Sequence, residues 1–193
     1  MDPARRVVHA GAVVVPASMV VGLTRTLRGC GADWCVVGGW GVDALLGVQT
    51  REHKDLDVFV RQERLPVALD VLHGAGLRYA YAWEESRPLA EGGRCAGHDS
   101  AFVMTDDDGR ELDVHVIATS DGRVEPLWDT AISFRPADLA VRGVVAGAIV
   151  RCLAPEKQLE AHRGYELPAA HRADVTRLRL LLGYPRQRAP RVR

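Results

Sequence analysis

The residues with the clearest capacity for chemistry are the two aspartates of Asp55-Leu56-Asp57, at the head of a short apolar run. Side chains alternate between the faces of a β-strand, so Asp55 and Asp57 share one face while Leu56 points into the core. Two like charges held close together repel each other unless a cation lies between them. The pattern predicts a divalent-metal site, although a lone pair of this kind also occurs on solvated strand faces.

A glycine pair precedes these aspartates in the segment Gly38-Gly39-Trp40-Gly41-Val42-Asp43. Glycines allow the backbone to approach a ligand closely, and the pair predicts a turn whose amides meet the phosphates of a nucleotide. A plain turn between a strand and a helix is the alternative. Trp40 is expected to pack in the core or as a lid, and Asp43 is open between a structural and a functional role.

A second acidic strand carries Asp113 and His115, which alternate on one face just as Asp55 and Asp57 do. If the two strands pair, three carboxylates meet on one surface of the sheet. That arrangement suits two-metal phosphoryl transfer, in which the ions lie about 3.5–4 Å apart. Asp113 would then take a proton from the attacking hydroxyl or hold the second ion, with His115 as the fallback base.

The composition favours a small-molecule substrate. The 193 residues include 25 Lys and Arg against 25 Asp and Glu, so no excess of positive charge attracts nucleic acid or an anionic membrane. The four cysteines show no metal-ligand spacing and read as free thiols in a reducing compartment, which predicts a cytoplasmic location. No apolar run approaches the ~20 residues that span a bilayer, so no membrane association is expected.

The elements that must position these residues follow from hydrophobic spacing and turn residues. They are, in order, a helix over Pro16–Gly29, a strand over Trp34–Val37, a helix over Val42–Leu46, a strand over Leu56–Val60, a helix over Leu65–Leu72, a strand over Leu77–Trp83, a hairpin of Ala101–Met104 with Glu111–Ile117, and helices beyond Pro155. This order predicts an α+β fold with a mixed sheet and a helical C-terminal portion. The core is expected over residues 16–125, a mainly helical acceptor-pocket region over 126–185, and tails over 1–15 and 186–193.

The glycine segment, Arg51-Glu52-His53 and Asp55-Leu56-Asp57 together resemble the small antibiotic nucleotidyltransferases of the polymerase-beta-like superfamily. The resemblance is first to lincosamide nucleotidyltransferases and second to aminoglycoside 2''-adenylyltransferases. It covers most of residues 16–180 and continues through Trp83-x-x-Ser86-Arg87, Leu112-Asp113-Val114-His115, Asp121-Gly122 and Glu156-x-Gln158-Leu159-x-x-His162-x-Gly164-Tyr165.

The resemblance implies the polymerase-beta-like fold and a Mg²⁺-dependent transfer of a nucleoside monophosphate from ATP or another NTP to a hydroxyl of an antibiotic. It assigns catalysis and two Mg²⁺ ions to Asp55, Asp57 and Asp113. Nucleotide contacts would come from Gly38, Gly39, Arg51, His53 and Arg87. Without the resemblance, Arg51 and His53 could equally be surface polar residues. The expected partners are the NTP and the drug, and a homodimer is left open.

One departure concerns the stretch between Arg87 and Asp113, which is longer than in the lincosamide enzymes and includes Gly92-Gly93-Arg94-Cys95 and the turn Asp106–Gly109. This stretch would lie near the acceptor pocket, so the acceptor stays open. Two other functions compete with drug modification. One is a toxin-type nucleotidyltransferase that modifies a protein or RNA. The other is a non-catalytic nucleotide-binding module, which would not need a third carboxylate.

Overall fold

A computed structural model of the chain describes residues 13–89, 98–129, 131–163 and 166–184. The predicted tail 186–193, most of the tail 1–15, and the segments Gly92–Cys95 and Gly164-Tyr165 lie outside the described residues. The helices and strands are α1 Ala17–Gly29, β1 Cys35–Val36, α2 Gly38–Leu46, β2 Asp55–Arg61, α3 Leu65–Gly74, β3 Arg78–Ala82, β4 Ala101–Thr105, β5 Glu111–Ser120, β6 Arg123–Pro126, β7 Val141–Val145, β8 Ala148–Cys152, α4 Pro155–Ala161 and α5 Ala169–Leu181. Every predicted element is therefore present.

One sheet joins these strands in the order β3-β4-β5-β2-β1-β8-β7, with β6 pairing beside β5. The pairs β2–β5 and β1–β8 are parallel, and the others are antiparallel. The α+β class and the mixed sheet are therefore confirmed. The parallel pair β2–β5 lies in the interior of the sheet, so the two acidic strands of the sequence are neighbours.

The alternation of β2 and β5 separates an apolar face from a polar one. Leu56, Val58 and Val60 of β2 and Leu112, Val114 and Val116 of β5 are fully buried in the main core. Helix α1 covers this face with Val20, Leu23 and Leu27, and α3 adds four more buried side chains. Removing this apolar surface from water is the main stabilising contribution, and it fixes which residues of each strand point away from the core.

The prediction that residues 126–185 are mainly helical is wrong for the part before α4. Strands β7 and β8 form a hairpin there, and β8 pairs with β1 through Val36 and Cys152, so this part extends the sheet. The hairpin turn is Ala146-Gly147, with φ values of +46° and +77°. Two positive φ values match the twist of a tight hairpin, but alanine rarely adopts them, which hides the turn in the sequence. The division at residue 125 stays a prediction.

Candidate active site

The parallel register of β2 and β5 brings the acidic residues together. Asp57 lies opposite Asp113, and Asp55 lies opposite Glu111. Ligand atoms of Asp57, Asp113 and His115 all lie within 4.8 Å of one another. We refer to Asp55, Asp57, Asp113 and His115 as the strand cluster. Asp55 stands at its edge, where its carboxylate is 3.2 Å from the ammonium of the largely exposed Lys54.

The ionised form of Asp57 is disfavoured by its surroundings. Burial raises the pKa of Asp57, and the negative charges of Asp55 and Asp113 add to this effect, bringing the pKa to about 7. His115 and Lys54 lower it by less. Because both burial and repulsion act against the ionised form, a cation at this position would be strongly favoured.

His115 is tied to Asp113 through its ring nitrogen Nε2, which lies 3.3 Å from Asp113 Oδ1. Burial lowers the pKa of His115, but the hydrogen bond to Asp113 and the charges of Asp113 and Asp57 outweigh it, so the pKa is raised. Because Nε2 of His115 is already engaged with Asp113, Asp113 is preferred over His115 as the base, and both assignments stay predictions.

The glycine pair forms the first turn of α2 rather than a separate turn before it. Gly38 has φ +58°, and a Cβ at that position would lie 2.0 Å from Asp57 Oδ2. A Cβ on Gly39 would lie 2.4 Å from His53 Nδ1 and 2.5 Å from a guanidinium nitrogen of Arg51. Only glycine fits at either position. The first N–H groups of a helix have no partner within it, so this end of α2 offers amide donors beside the strand cluster.

Asp43 has a structural role. It lies on the buried side of α2 and binds the loop that follows the helix through the backbone N–H of Thr50 at 3.1 Å and its hydroxyl at 2.6 Å. His53 Nε2 is 2.6 Å from the same carboxylate. Burial raises the pKa of Asp43, but the hydrogen bonds from His53 and Thr50 outweigh it, so the pKa is lowered.

His53 is not a surface residue, because its exposure is only 1%. Its ring packs against Trp40 in a tilted arrangement with centroids 4.6 Å apart, and Trp40 is itself buried in the core as expected. The ring supports Gly39 from inside the molecule. A direct contact of His53 with a nucleotide therefore stays a prediction, and support of the glycine pair is what the geometry provides.

Arg51 is held by a residue 123 positions further along the chain. Its Nε and Nη2 atoms lie 3.3 and 3.0 Å from Asp174 Oδ2 on α5, and Arg177 Nη1 lies 3.2 Å from the other oxygen. Asp174 is 1% exposed. The sequence reasoning missed Asp174, although a carboxylate among the apolar positions of a helix is a recognisable signal.

Trp83 is the second residue that sequence reasoning missed as a site residue. Its indole N–H donates to Asp113 Oδ1 at 2.8 Å. The neighbouring Arg87 has an exposed side chain, and its backbone N–H donates to Ser100 Oγ at 2.9 Å. The structure therefore attaches Trp83 to the strand cluster, whereas the nucleotide contact of Arg87 stays a prediction.

A sequence model of a family, described as aminoglycoside-2''-adenylyltransferase, matches residues 19–178. Among curated proteins, a lincosamide resistance protein of Staphylococcus haemolyticus is 25% identical over 145 residues, which span 74% of this chain and 81% of that protein. Of the helices within the described ranges, none is long and apolar enough to cross a membrane.

Two solved structures share the fold. The lincosamide antibiotic adenylyltransferase LnuA bound to lincomycin gives a TM-score of 0.69 at 21% identity, covering 87% of this chain and 99% of that one. ANT(2'')-Ia in complex with adenylyl-2''-tobramycin gives a TM-score of 0.66 at 20% identity, with coverages of 86% and 89%. Likenesses at these identities establish the fold alone.

Proposed function

The chain belongs to the aminoglycoside-2''-adenylyltransferase family, and from this premise we propose that it transfers a nucleoside monophosphate from an NTP to a hydroxyl of a small antibiotic. The predicted identity as an antibiotic nucleotidyltransferase and the predicted polymerase-beta-like fold are confirmed by the family match and the shared fold. The donor, the metal and the acceptor belong to the proposal.

The observation that carries the proposal is the meeting of Asp57 and Asp113 on neighbouring strands, next to the glycine-rich end of α2. In the proposed reaction, the oxygen of the drug hydroxyl forms a bond to the α-phosphorus. The bond from that phosphorus to the bridging oxygen breaks, and pyrophosphate leaves. The hydroxyl proton passes to the carboxylate of Asp113, which lies on the side of the sheet that faces away from the main core.

The donor set of the strand cluster fits Mg²⁺. Carboxylate oxygens are the ligands that this hard cation prefers, and a cation here would offset the burial and the negative charges that raise the pKa of Asp57. Asp55 and Asp57 would hold the ion, with Asp113 beside it as the base, because the exposed side chain of Lys54 can move away from Asp55. When bound, the ion would neutralise phosphate charge and polarise the P–O bonds.

The remaining contributions of the chain are positioning and charge. The amides of Gly38 and Gly39 would bind phosphate oxygens, and Arg51, held by Asp174, would add a guanidinium beside them. Positioning and preorganised charge account for most of the rate in phosphoryl transfer. The part of the chain over 126–185, including α4 and α5, would contribute to the acceptor pocket.

Mass spectrometry of a substrate panel tests the proposal. The protein is incubated with Mg²⁺ and each of the common NTPs, together with lincosamides and aminoglycosides that include lincomycin and tobramycin. We expect one drug class to gain the mass of a nucleoside monophosphate while pyrophosphate is released, with ATP as the donor. Unmodified drugs, together with a labelled protein or RNA from an added cell extract, would favour the toxin-type alternative.

A further inference from the structure

The indole of Trp83 contacts the carboxylate to which the proposed reaction assigns the proton. Its N–H group donates to Asp113 Oδ1 at 2.8 Å, across 30 positions of sequence. Trp83 as a whole residue is 37% exposed, whereas Asp113 is 7% exposed. Trp83 therefore lies at the border between the strand cluster and solvent.

The backbone fixes the direction of this indole. Trp83 follows the last residue of β3. Its backbone N–H donates to the carbonyl of Ala101 on β4 at 3.2 Å. Its own carbonyl accepts a hydrogen bond from the N–H of Ser86 at 3.0 Å. The ring of Tyr81 packs edge-on against the indole, with centroids 5.5 Å apart. Because the backbone of Trp83 is held by these hydrogen bonds and its ring is held by Tyr81, the side chain loses little conformational entropy when it binds Asp113.

The two contacts of Asp113 converge on one oxygen. The indole N–H of Trp83 donates to Oδ1 at 2.8 Å, and Nε2 of His115 lies 3.3 Å from the same oxygen. Within the described parts of the chain, no hydrogen bond or ion pair of Oδ2 is found. An indole N–H is a neutral donor that orients a carboxylate without cancelling its charge, unlike the guanidinium groups on Asp174.

We propose that Trp83 is a positioning residue for the transfer reaction, an inference that rests on the proposed function. Its N–H holds Oδ1 of Asp113, so that Oδ2 is directed at the reacting groups. A displacement of about 1 Å in a reacting group can lower a rate about 10²-fold. Loss of the hydrogen bond should therefore lower kcat while nucleotide binding, which depends on other residues, is retained.

The test compares two substitutions that each remove one indole N–H. Trp83→Phe should lower kcat about 10- to 100-fold, with KM for the NTP and the melting temperature close to wild type. The matched control is Trp34→Phe, which removes the core hydrogen bond from Trp34 to Thr24 Oγ1 at 2.9 Å. The control should lower the melting temperature and keep kcat. A wild-type kcat in Trp83→Phe would overturn the proposal.

A double-mutant cycle separates positioning from a general structural effect. In an Asp113→Asn background, Trp83→Phe should change kcat by less than about 2-fold, because the two residues act as one unit. Independent, multiplicative losses would overturn the inference. If Trp83→Phe melts below the assay temperature, all variants are assayed at a lower temperature at which each is folded, and the same comparison of kcat applies. An inactive wild-type protein would refute the proposed function itself, whereas an active Trp83→Phe refutes only the role of Trp83.

Discussion

Buried carboxylates occupy two regions of this molecule with opposite surroundings. Behind the glycine pair, Asp43 accepts hydrogen bonds from Thr50 and contacts His53. On the strand cluster, Asp57 is buried beside the negative charges of Asp55 and Asp113, which outweigh the opposing effects of His115 and Lys54. The consequences differ in sign, because the pKa of Asp43 is lowered by its partners, whereas that of Asp57 is raised to about 7 by burial and by its neighbours.

The contrast separates carboxylates that hold the fold together from those that serve a ligand. Asp43 binds the loop that follows its own helix, Asp174 connects α5 to the distant Arg51, and both oxygens of each carboxylate are used by the protein. The raised pKa of Asp57 means that its ionisation opposes folding near neutral pH, and a carboxyl perturbed in this way marks a candidate functional site. The same substitution, Asp→Asn, should therefore have opposite effects on stability in the two regions.

The largest effect is expected for Asp57→Asn, which should lower turnover about 10³-fold or more by removing a ligand charge. In metal-free protein the same change should raise stability. The pKa of about 7 in the folded state exceeds the ~3.9 of an exposed aspartate. The wild type therefore loses stability as pH rises through this window, and the full loss is present above about pH 7.

Thermal melting with a chelator checks this sign. Asp57→Asn should melt higher than wild type near pH 8, by up to about 4 kcal/mol in unfolding free energy, and should match wild type only below about pH 4, where Asp57 is protonated in both the folded and unfolded states. Turnover is measured on the same preparations. A lower melting temperature at pH 8 would contradict the assignment of Asp57 as a strained, ligand-directed carboxylate.

Asp113→Asn should lower kcat about 10²- to 10⁴-fold, as expected for loss of a general base. The affinity for the NTP should change little, because Asp55, Asp57 and the end of α2 are intact. Steady-state kinetics and calorimetric titration of a non-hydrolysable NTP separate the two quantities. A kcat close to wild type would mean that a group other than Asp113 accepts the proton.

On the opposite side of the comparison, Asp43→Asn should destabilise the protein by about 2–4 kcal/mol, because it breaks a fully buried, hydrogen-bonded pair. The lowered pKa of Asp43 means that its contribution is present above about pH 4 and is lost as pH falls through its folded-state pKa. The loss of melting temperature should therefore be largest near neutrality and smallest in acid. An unchanged melting temperature of Asp43→Asn near pH 7 would show that Asp43 does not hold the fold together.

The smallest effect on stability is expected at Gly38, where the start of α2 meets the strand cluster. Gly38→Ala places a Cβ 2.0 Å from Asp57 Oδ2 at φ +58°, which should cost about 1–2 kcal/mol in stability and weaken NTP binding. Gly22→Ala is the matched control, because no atom lies within 4 Å of the added Cβ in the middle of α1. Helix propensity predicts that the control is stabilised by up to about 1 kcal/mol. Equal effects of the two changes would mean that crowding at Gly38 is unimportant.

Much of this arrangement could be predicted from local sequence, because strand alternation is local. Asp55 and Asp57 share one face of their strand, as do Asp113 and His115, and this follows from the apolar residue between the members of each pair. The pairing of β2 with β5 needed a hypothesis, since no local signal sets the register of strands so far apart. For the same reason, the contacts of Trp83 with Asp113 and of Arg51 with Asp174 were missed. The β7–β8 hairpin was missed because Ala146 occupies a turn position typical of glycine or asparagine.

Calorimetric titration of Mn²⁺ into wild type and Asp57→Asn, each with the same non-hydrolysable NTP, tests whether Asp57 is a metal ligand. The titration is repeated near pH 6 in two buffers of different ionisation enthalpy, so that released protons are counted. The nucleotide contributes equally to both proteins. With a pKa of about 7, Asp57 holds a proton in most molecules at that pH, and metal binding must release it. We expect wild type to release nearly one proton more than the variant and to bind Mn²⁺ at least about tenfold more tightly. Equal affinity and equal proton release would contradict the assignment of Asp57 as a metal ligand.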